Sequence, residues 1–149
     1  MYDSILLSTD GTVASAEAES HAIALADAHD AVLHVLYVVD EDVVTAYSGD
    51  EYVDESEGPE HALEEHGEDV LSAVADRART AGVEVVETMR HGRPAETIVD
   101  YADDEAVDLI VLGTKRHSEE YRSLLGSVTD RVVRLTRRPA TVVKTEVER

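Results

Sequence analysis

The sequence predicts an α/β fold built on a doubly wound five-stranded parallel sheet. Short apolar runs of strand length alternate with longer segments whose apolar residues recur at helical spacing. The run from Ala31 to Val39 is apolar nearly throughout, as expected for a strand that is covered on both faces. Strands that alternate with helices need crossover connections, and right-handed crossovers place helices on both sides of the sheet.

The first 58 residues predict a β-α-β unit followed by a loop. Ser4–Ser8 is a short apolar run, and the turn-forming segment Thr9–Thr12 separates it from Val13–His29, an alanine-rich stretch that suits a helix. Ala31–Val39 is the second strand. Residues 40–58 are acidic and aperiodic, which indicates a long loop in which one helical turn could form.

The rest of the chain predicts three more strands and three more helices. Pro59–Ala81 has apolar residues at helical spacing, and Gly82 ends it. A proline at the first helical position marks the start of the next helix at Pro94. The remaining predicted elements are the strand Val83–Met89, the strand Asp108–Leu112, a helix over Val128–Arg137 that opens at Ser127, and the strand Thr141–Val143.

Composition sets limits on the class of protein. At 149 residues and 43% hydrophobic, the chain suits one domain over residues 1–149. There is no cysteine, which excludes disulfides and thiol chemistry. No apolar run approaches the ~20 residues that cross a bilayer, so we expect a cytoplasmic protein with no membrane partner.

The charge is strongly acidic and unevenly distributed. The formal net charge is -20, from 33 acidic and 13 basic residues, and residues 1–76 hold 20 of the acids and no lysine or arginine. Such acidity argues against nucleic acid as a partner. Because the apolar pattern is too periodic for a disordered chain, we interpret the acidity as a halophilic adaptation to a salt-rich cytoplasm.

Two loops carry the candidate chemistry. In a doubly wound sheet, ligands bind beyond the carboxyl ends of the strands where the winding reverses. If the first and fourth strands flank that point, the Ser8–Thr12 loop and the Gly113–Gly126 loop share one crevice. Asp10 could accept hydrogen bonds there, or serve only in an Asx turn or helix cap. The N–H groups around Ser127 could bind phosphate, and Ser127 could also be a plain N-cap with Asp130.

The chain resembles the universal stress protein family over its whole length, including these two loops. The segments that carry the resemblance are Ile5–Thr12, Leu33–Asp40, Gly92–Val99, Val107–Thr114, Leu124–Val133 and Arg138–Val143. The resemblance implies a Rossmann-like sheet, similar to that of the adenine nucleotide alpha hydrolases, with strand order 3-2-1-4-5. It also implies a homodimer whose two chains pair through the last strand, Thr141–Thr145. A second, unidentified protein partner is expected as well.

The family's ATP-binding members carry a glycine pattern that this chain matches in part. The pattern is Gly, two residues, Gly, nine residues, and Gly followed by Ser or Thr. Gly113 and Gly126-Ser127 match it, and Arg116 replaces the middle glycine. The resemblance implies ATP or a related adenine nucleotide as ligand, with Mg²⁺ as a candidate companion. The candidate nucleotide-binding residues are Thr9, Asp10, Val38, Leu112, Gly113, Lys115, Arg116, Gly126, Ser127 and Val128.

Two functions stay open at this point. One is a nucleotide-binding regulatory module for stress response, with at most slow, incidental ATP hydrolysis. The other is a nucleotide-free dimeric interaction scaffold in which Arg116, Glu119 and Glu120 have made the phosphate loop degenerate. No Gly-x-Ser-x-Gly or Walker pattern occurs, so the sequence predicts no catalytic residue.

The histidines give weaker signals. His61 and His66 lack a His-Glu-x-x-His pattern, so a solvated surface is favoured over a metal site. His34 lies in an apolar run and is interpreted as a core histidine with a hydrogen-bond partner. His117 falls in the candidate phosphate loop and is a weaker candidate contact.

Overall fold

The computed structural model describes residues 1–11, 13–47, 58–117 and 127–147, and it has the predicted parallel sheet with helices on both faces. The strands are β1 (Ser4–Ser8), β2 (Val32–Asp40), β3 (Val85–Gly92), β4 (Leu109–His117) and β5 (Ala140–Val147). The helices are α1 (Val13–His29), α2 (Glu41–Tyr47), α3 (Pro59–Thr80), α4 (Pro94–Asp104) and α5 (Ser127–Leu135).

The strands pair in parallel in the order β3-β2-β1-β4-β5, which confirms the order that the resemblance implied. The central strand β1 pairs with β2 through Ile5 and Leu33, and with β4 through Ile5 and Leu109. The chain therefore winds outward from β1 to β3 and then crosses back to β4. The winding reverses between β1 and β4, where a crevice forms at the carboxyl ends of the strands.

Alternate residues of β1 supply the two halves of the core. Ile5 and Leu7 are completely buried on the face covered by α1 and α3, where the apolar side includes Ala22, Val70 and Val74. Leu6 is completely buried on the opposite face. The residues packed there from α4 and α5 include Ile98, Tyr101 and Val132. Because successive side chains of a strand point to opposite faces, an all-apolar strand needs a helix layer on each side.

The buried histidine is paired as predicted. The Nδ1 atom of His34 lies 2.8 Å from the hydroxyl oxygen of Tyr101, which is also 3.2 Å from the Thr88 hydroxyl. Burial lowers the pKa of His34 below its usual value. His34 is therefore a neutral core residue, held in a small polar cluster between β2, β3 and α4.

Several predicted boundaries are wrong by a few residues. Within the predicted loop at 40–58, the helix α2 is longer than the one helical turn expected there, and residues 48–57 lie outside the described residues. Strand β3 begins at Val85 instead of Val83 and continues past Met89 to Gly92, because β2 supplies a pairing partner along that whole length. Helix α5 ends at Leu135 instead of Arg137, ahead of Pro139, which cannot continue a helix. The helix stop at Gly82 is confirmed, since this residue has φ +85°.

The largest correction concerns the end of the fourth strand. We predicted that the strand ends at Leu112 and that a loop begins at Gly113, but β4 runs to His117. Gly113 pairs with Val143, and Arg116 pairs with Glu146 on β5. The polar residues after Gly113 gave no strand signal, and the partner strand decides their conformation. Strand β5 is longer than predicted for the same reason, and it occupies one edge of the sheet.

Candidate functional site

A cleft of about 270 Å³ opens at the reversal point between β1 and β4. The ends of β1 and β2 and the middle of β4 form its floor, and each of the five helices contributes at least one residue to its walls. It is lined by Ser8, Thr9, Asp10, Ser15, Tyr37, Val38, Asp40, Val43, Leu63, Pro94, Ile98, Leu112, Gly113, Val128 and Thr129. Thr9 and Asp10 of the first predicted loop line this cleft together with Gly113, which lies in β4, and Val128, which lies in α5. Residues 118–126 of the second predicted loop lie outside the described residues.

A buried acid fixes the loop that carries Asp10. The hydroxyl of Thr9 donates a 2.6 Å hydrogen bond to Oε2 of Glu19, and both residues are less than 10% exposed. Arg77 from α3 donates to the other oxygen, Oε1, at 3.1 Å. The Thr9 hydroxyl also accepts the N–H of Gly11, which has φ +80°. The turn after β1 is therefore tied to α1 and α3 through one carboxylate.

Asp10 itself stands at the mouth of the cleft and takes part in a local cap. Its Oδ1 atom accepts a 2.9 Å hydrogen bond from the Ser15 hydroxyl. The Asp10 N–H in turn lies 3.3 Å from the same hydroxyl oxygen. His66 of α3 donates from Nε2 to the Asp10 carbonyl oxygen at 3.1 Å. These bonds agree with the cap role weighed for Asp10, and they hold its exposed carboxyl group at the edge of the cleft.

The opposite side of the cleft is apolar and ends at a helix start. Val38 contributes from β2 and Leu112 from β4, on either side of β1, and Val128 from the first turn of α5 is 38% exposed. The hydroxyl of Thr129 donates to the carbonyl oxygen of Gly113 at 3.0 Å, which fixes the start of α5 against β4. Free N–H groups at such a start favour anions.

Tyr37 adds a buried hydroxyl to the site. Its ring is 4% exposed and packs edge-on against His66, with 5.8 Å between ring centroids. Burial, with a smaller contribution from the charge of Asp10, raises the pKa of Tyr37 above its usual value. The hydroxyl therefore stays protonated at neutral pH and can donate as well as accept hydrogen bonds.

The structure assigns places to some of the predicted site residues only. Thr9, Asp10, Val38, Leu112, Gly113 and Val128 line the cleft, and Ser127 begins α5 beside it. The backbone of Lys115 and Arg116 belongs to β4, and their side chains, like that of His117, lie outside the described part of the chain. Gly126, Glu119 and Glu120 also lie outside the described residues. Position 116 lies in β4, and the strand conformation has negative φ, which any residue can adopt. A glycine is therefore not required there for positive φ.

Sequence reasoning missed several contributors. Ser15 and Glu19 fall in the predicted helix Val13–His29 and Tyr37 in the predicted strand Ala31–Val39, and none of the three is a predicted site residue. His66 was assigned to a solvated surface, but it contacts Asp10 and Tyr37. A signal for Glu19 is its helical spacing from Ala22 and Ala26, since an acid on the buried face of a helix needs a partner. The burial of this acid depends on the packing of α3, which places Arg77 beside it.

Comparison with known proteins agrees with this architecture. The model of the universal stress protein family matches residues 1–144. A universal stress protein of Methanocaldococcus jannaschii, MJ0531, is 38% identical over 97% of this chain and 83% of its own length. The chain belongs to the universal stress protein family. This membership confirms the resemblance drawn from the segments around Asp10 and Gly113.

Solved structures of universal stress proteins share the fold. The structure of MJ0577, a universal stress protein of the same organism, matches with a TM-score of 0.77 at 27% identity, over 97% of both chains. A universal stress protein in complex with cAMP matches with a TM-score of 0.66 at 23% identity, over 96% of this chain and 97% of the other. Among the described residues of this family member, no helix has the length and apolar character to span a membrane.

Proposed function

We propose that this universal stress protein binds an adenine nucleotide in the β1–β4 cleft and acts as a regulatory module in a stress response. The observation that carries the proposal is the polarity of the cleft. A carboxyl group, that of Asp10, lies on one side, and the start of α5 lies on the other, with an apolar wall between them. A nucleotide carries a partner for each of these: hydroxyls and an amine that can donate to a carboxylate, a flat base for an apolar wall, and a phosphate for a helix start.

The apolar wall suits the base. Val38, Ile98 and Leu112 all line the cleft. Ile98 of α4 and Leu112 of β4 are also buried members of the core between that helix and the sheet. A base that slides between such side chains gains hydrophobic contact without moving the protein. The Asp10 carboxylate would then accept hydrogen bonds from the ribose hydroxyls or from an exocyclic amine. Charged acceptors form stronger bonds than neutral ones.

The phosphates would lie at the start of α5. The first N–H groups of this helix, at Ser127 and Val128, have no partner within the helix, and the helix dipole favours negative charge there. The known complex of a universal stress protein with cAMP supports the proposal, because that protein shares this fold. Neither Lys115 nor Arg116 is needed for this arrangement, although both could add contacts to phosphate.

Calorimetric titration with ATP, ADP, AMP and cAMP tests the proposal. We expect measurable binding by the wild-type protein. Val128→Asp places a negative charge at the phosphate end of the cleft, and we expect it to weaken ATP binding at least tenfold. An aspartate in the first turn also favours the helix, so the fold should persist. Val133→Asp is the matched control, because Val133 lies on the same helix with similar exposure and does not line the cleft.

Two results would contradict the proposal. One is wild-type affinity weaker than millimolar for all four nucleotides, with no nucleotide retained on purification. The other is an equal loss of affinity in the Val128→Asp and Val133→Asp variants. If binding is absent while light scattering shows a dimer, the nucleotide-free scaffold becomes the better hypothesis. The expected dimer stays a prediction, and the same light-scattering measurement tests whether the chain dimerises.

A further inference from the structure

A second group of polar side chains lies outside the cleft, where the start of α3 meets the end of β3. Glu60 and Glu64 are four residues apart on α3 and therefore point to the same side of the helix. His91, the penultimate residue of β3, faces them. Its Nε2 atom is 2.7 Å from Oε2 of Glu64 and 3.6 Å from Oε2 of Glu60. One ligand atom from each of the three residues lies within 4.8 Å of the other two.

We propose that Glu60, Glu64 and His91 form a binding site for a divalent transition metal ion, with Zn²⁺ as the ion that fits best. Carboxylates alone would suit Mg²⁺ or Ca²⁺, but an imidazole nitrogen in the set favours Zn²⁺ and its neighbours. Three protein ligands with one position left for water is a common zinc arrangement. The inference is independent of the proposed nucleotide site.

The distances need little adjustment. Tetrahedral zinc with bonds of about 2.0 to 2.2 Å sets its ligand atoms about 3.3 Å apart. The separation from His91 to Glu60 is already close to this, and the shorter one to Glu64 is the hydrogen bond that a metal ion would replace. All three side chains are partly exposed, at 36 to 57%, so rotation of the glutamates costs little and the ion has a path from solvent.

The surrounding charge also favours a cation. In the part of the chain that the structure describes, the ion pairs of Glu60 and Glu64 are made with His91, and neither carboxylate pairs with lysine or arginine. The carboxylates of Glu60 and Glu64 lie side by side, and a bound divalent ion would relieve the repulsion between them. The bound ion would tie the first two turns of α3 to the end of β3. Leu63, between the two glutamates in sequence, lines the nucleotide cleft, so the site adjoins its wall.

Zinc titration of chelator-treated, tag-free protein at neutral pH tests the site. We expect one Zn²⁺ per chain, not displaced by an equal concentration of Mg²⁺. His91→Gln and Glu64→Gln should each weaken binding at least about tenfold, since even the loss of groups that only orient ligands has effects of this size. The control is His61→Gln, because His61 pairs with Glu65 in the same helix at 3.5 Å and is similarly exposed.

Thermal unfolding gives a second readout. Zn²⁺ should raise the midpoint of the wild type and of His61→Gln, and leave that of His91→Gln unchanged, since only a folded site binds the ion. The proposal is overturned if the wild type binds no zinc in the micromolar range. It is also overturned if His91→Gln binds as tightly as the wild type, or if His61→Gln loses as much affinity as His91→Gln. Because these residues are exposed, their variants should fold, and circular dichroism checks this.

Discussion

The hydrogen bond between Thr9 and Glu19 should couple the cleft to the stability of the whole fold. The Thr9 side chain is 4% exposed and Glu19 is 8% exposed, so neither can replace its partner with bulk water. We consider the variants Thr9→Val and Glu19→Leu, which keep the approximate shape of each side chain, together with the double variant. The pair of single changes and their combination form a double-mutant cycle.

The expected magnitude follows from burial and charge. A hydrogen bond to a charged group contributes about 1.5 to 3 kcal/mol, and removing one partner also leaves the other unsatisfied. Arg77 is 47% exposed at its side chain and can turn to solvent when Glu19 is replaced, so its share is small. Each single variant should therefore lose about 2 to 3 kcal/mol of unfolding free energy. The double variant should lose less than the sum of the two, by about 1.5 to 3 kcal/mol.

Urea unfolding followed by circular dichroism measures these free energies, and urea leaves the salt concentration unchanged. The matched comparison is the exposed pair of Arg134 and Asp130 on α5, with 2.9 Å between Nε and Oδ2. Its cycle should give a coupling of about 0.3 to 0.5 kcal/mol. If the Thr9 and Glu19 losses add to within about 0.5 kcal/mol, the two groups are not coupled and the argument from burial is wrong.

Two further predictions concern packing and pH. Gly67→Ala should lower thermal stability despite the better helix propensity of alanine, because a Cβ atom there would lie 2.5 Å from Cδ2 of the Tyr37 ring; an unchanged or higher midpoint would show that the ring moves freely. The N–H groups of Asp3 and Ser4 lower the pKa of Asp108 by hydrogen bonding to its carboxylate. Because the pKa of Asp108 is lower in the folded state, its carboxylate stabilises the fold at pH values above the pKa of the unfolded state. The stability lost in Asp108→Asn should therefore be constant near pH 7 and become smaller below about pH 4. A loss independent of pH would contradict this.

Much of the sheet could be predicted because its strands are apolar on both faces. Ile5, Leu6 and Leu7 are consecutive and all fully buried, a pattern that only a covered strand explains. Helix starts and stops with strong local chemistry were also predictable, as at Pro94 and Gly82. These signals depend on the residue and its near neighbours in sequence, so the sequence contains them in full.

The end of β4 shows where such signals fail. Residues from Thr114 to His117 are polar, and nothing local distinguishes a strand from a loop. Their extended conformation follows from the backbone hydrogen bonds available along β5, whose residues lie about 30 positions later in the chain. The proposed metal ligands are another case, since 27 positions separate Glu64 from His91.

Sequence patterns were thus enough for the fold class and, with the family resemblance, for the strand order and for cleft residues such as Asp10 and Gly113. The burial of Glu19 against Thr9, the contact of His66 with Asp10 and the continuation of β4 beyond Gly113 emerge from the folded arrangement alone. The physical reason is the range of the interactions. Hydrophobic periodicity and turn chemistry act between neighbours in sequence, whereas the pairing of a polar side chain depends on which helix or strand the fold places opposite it.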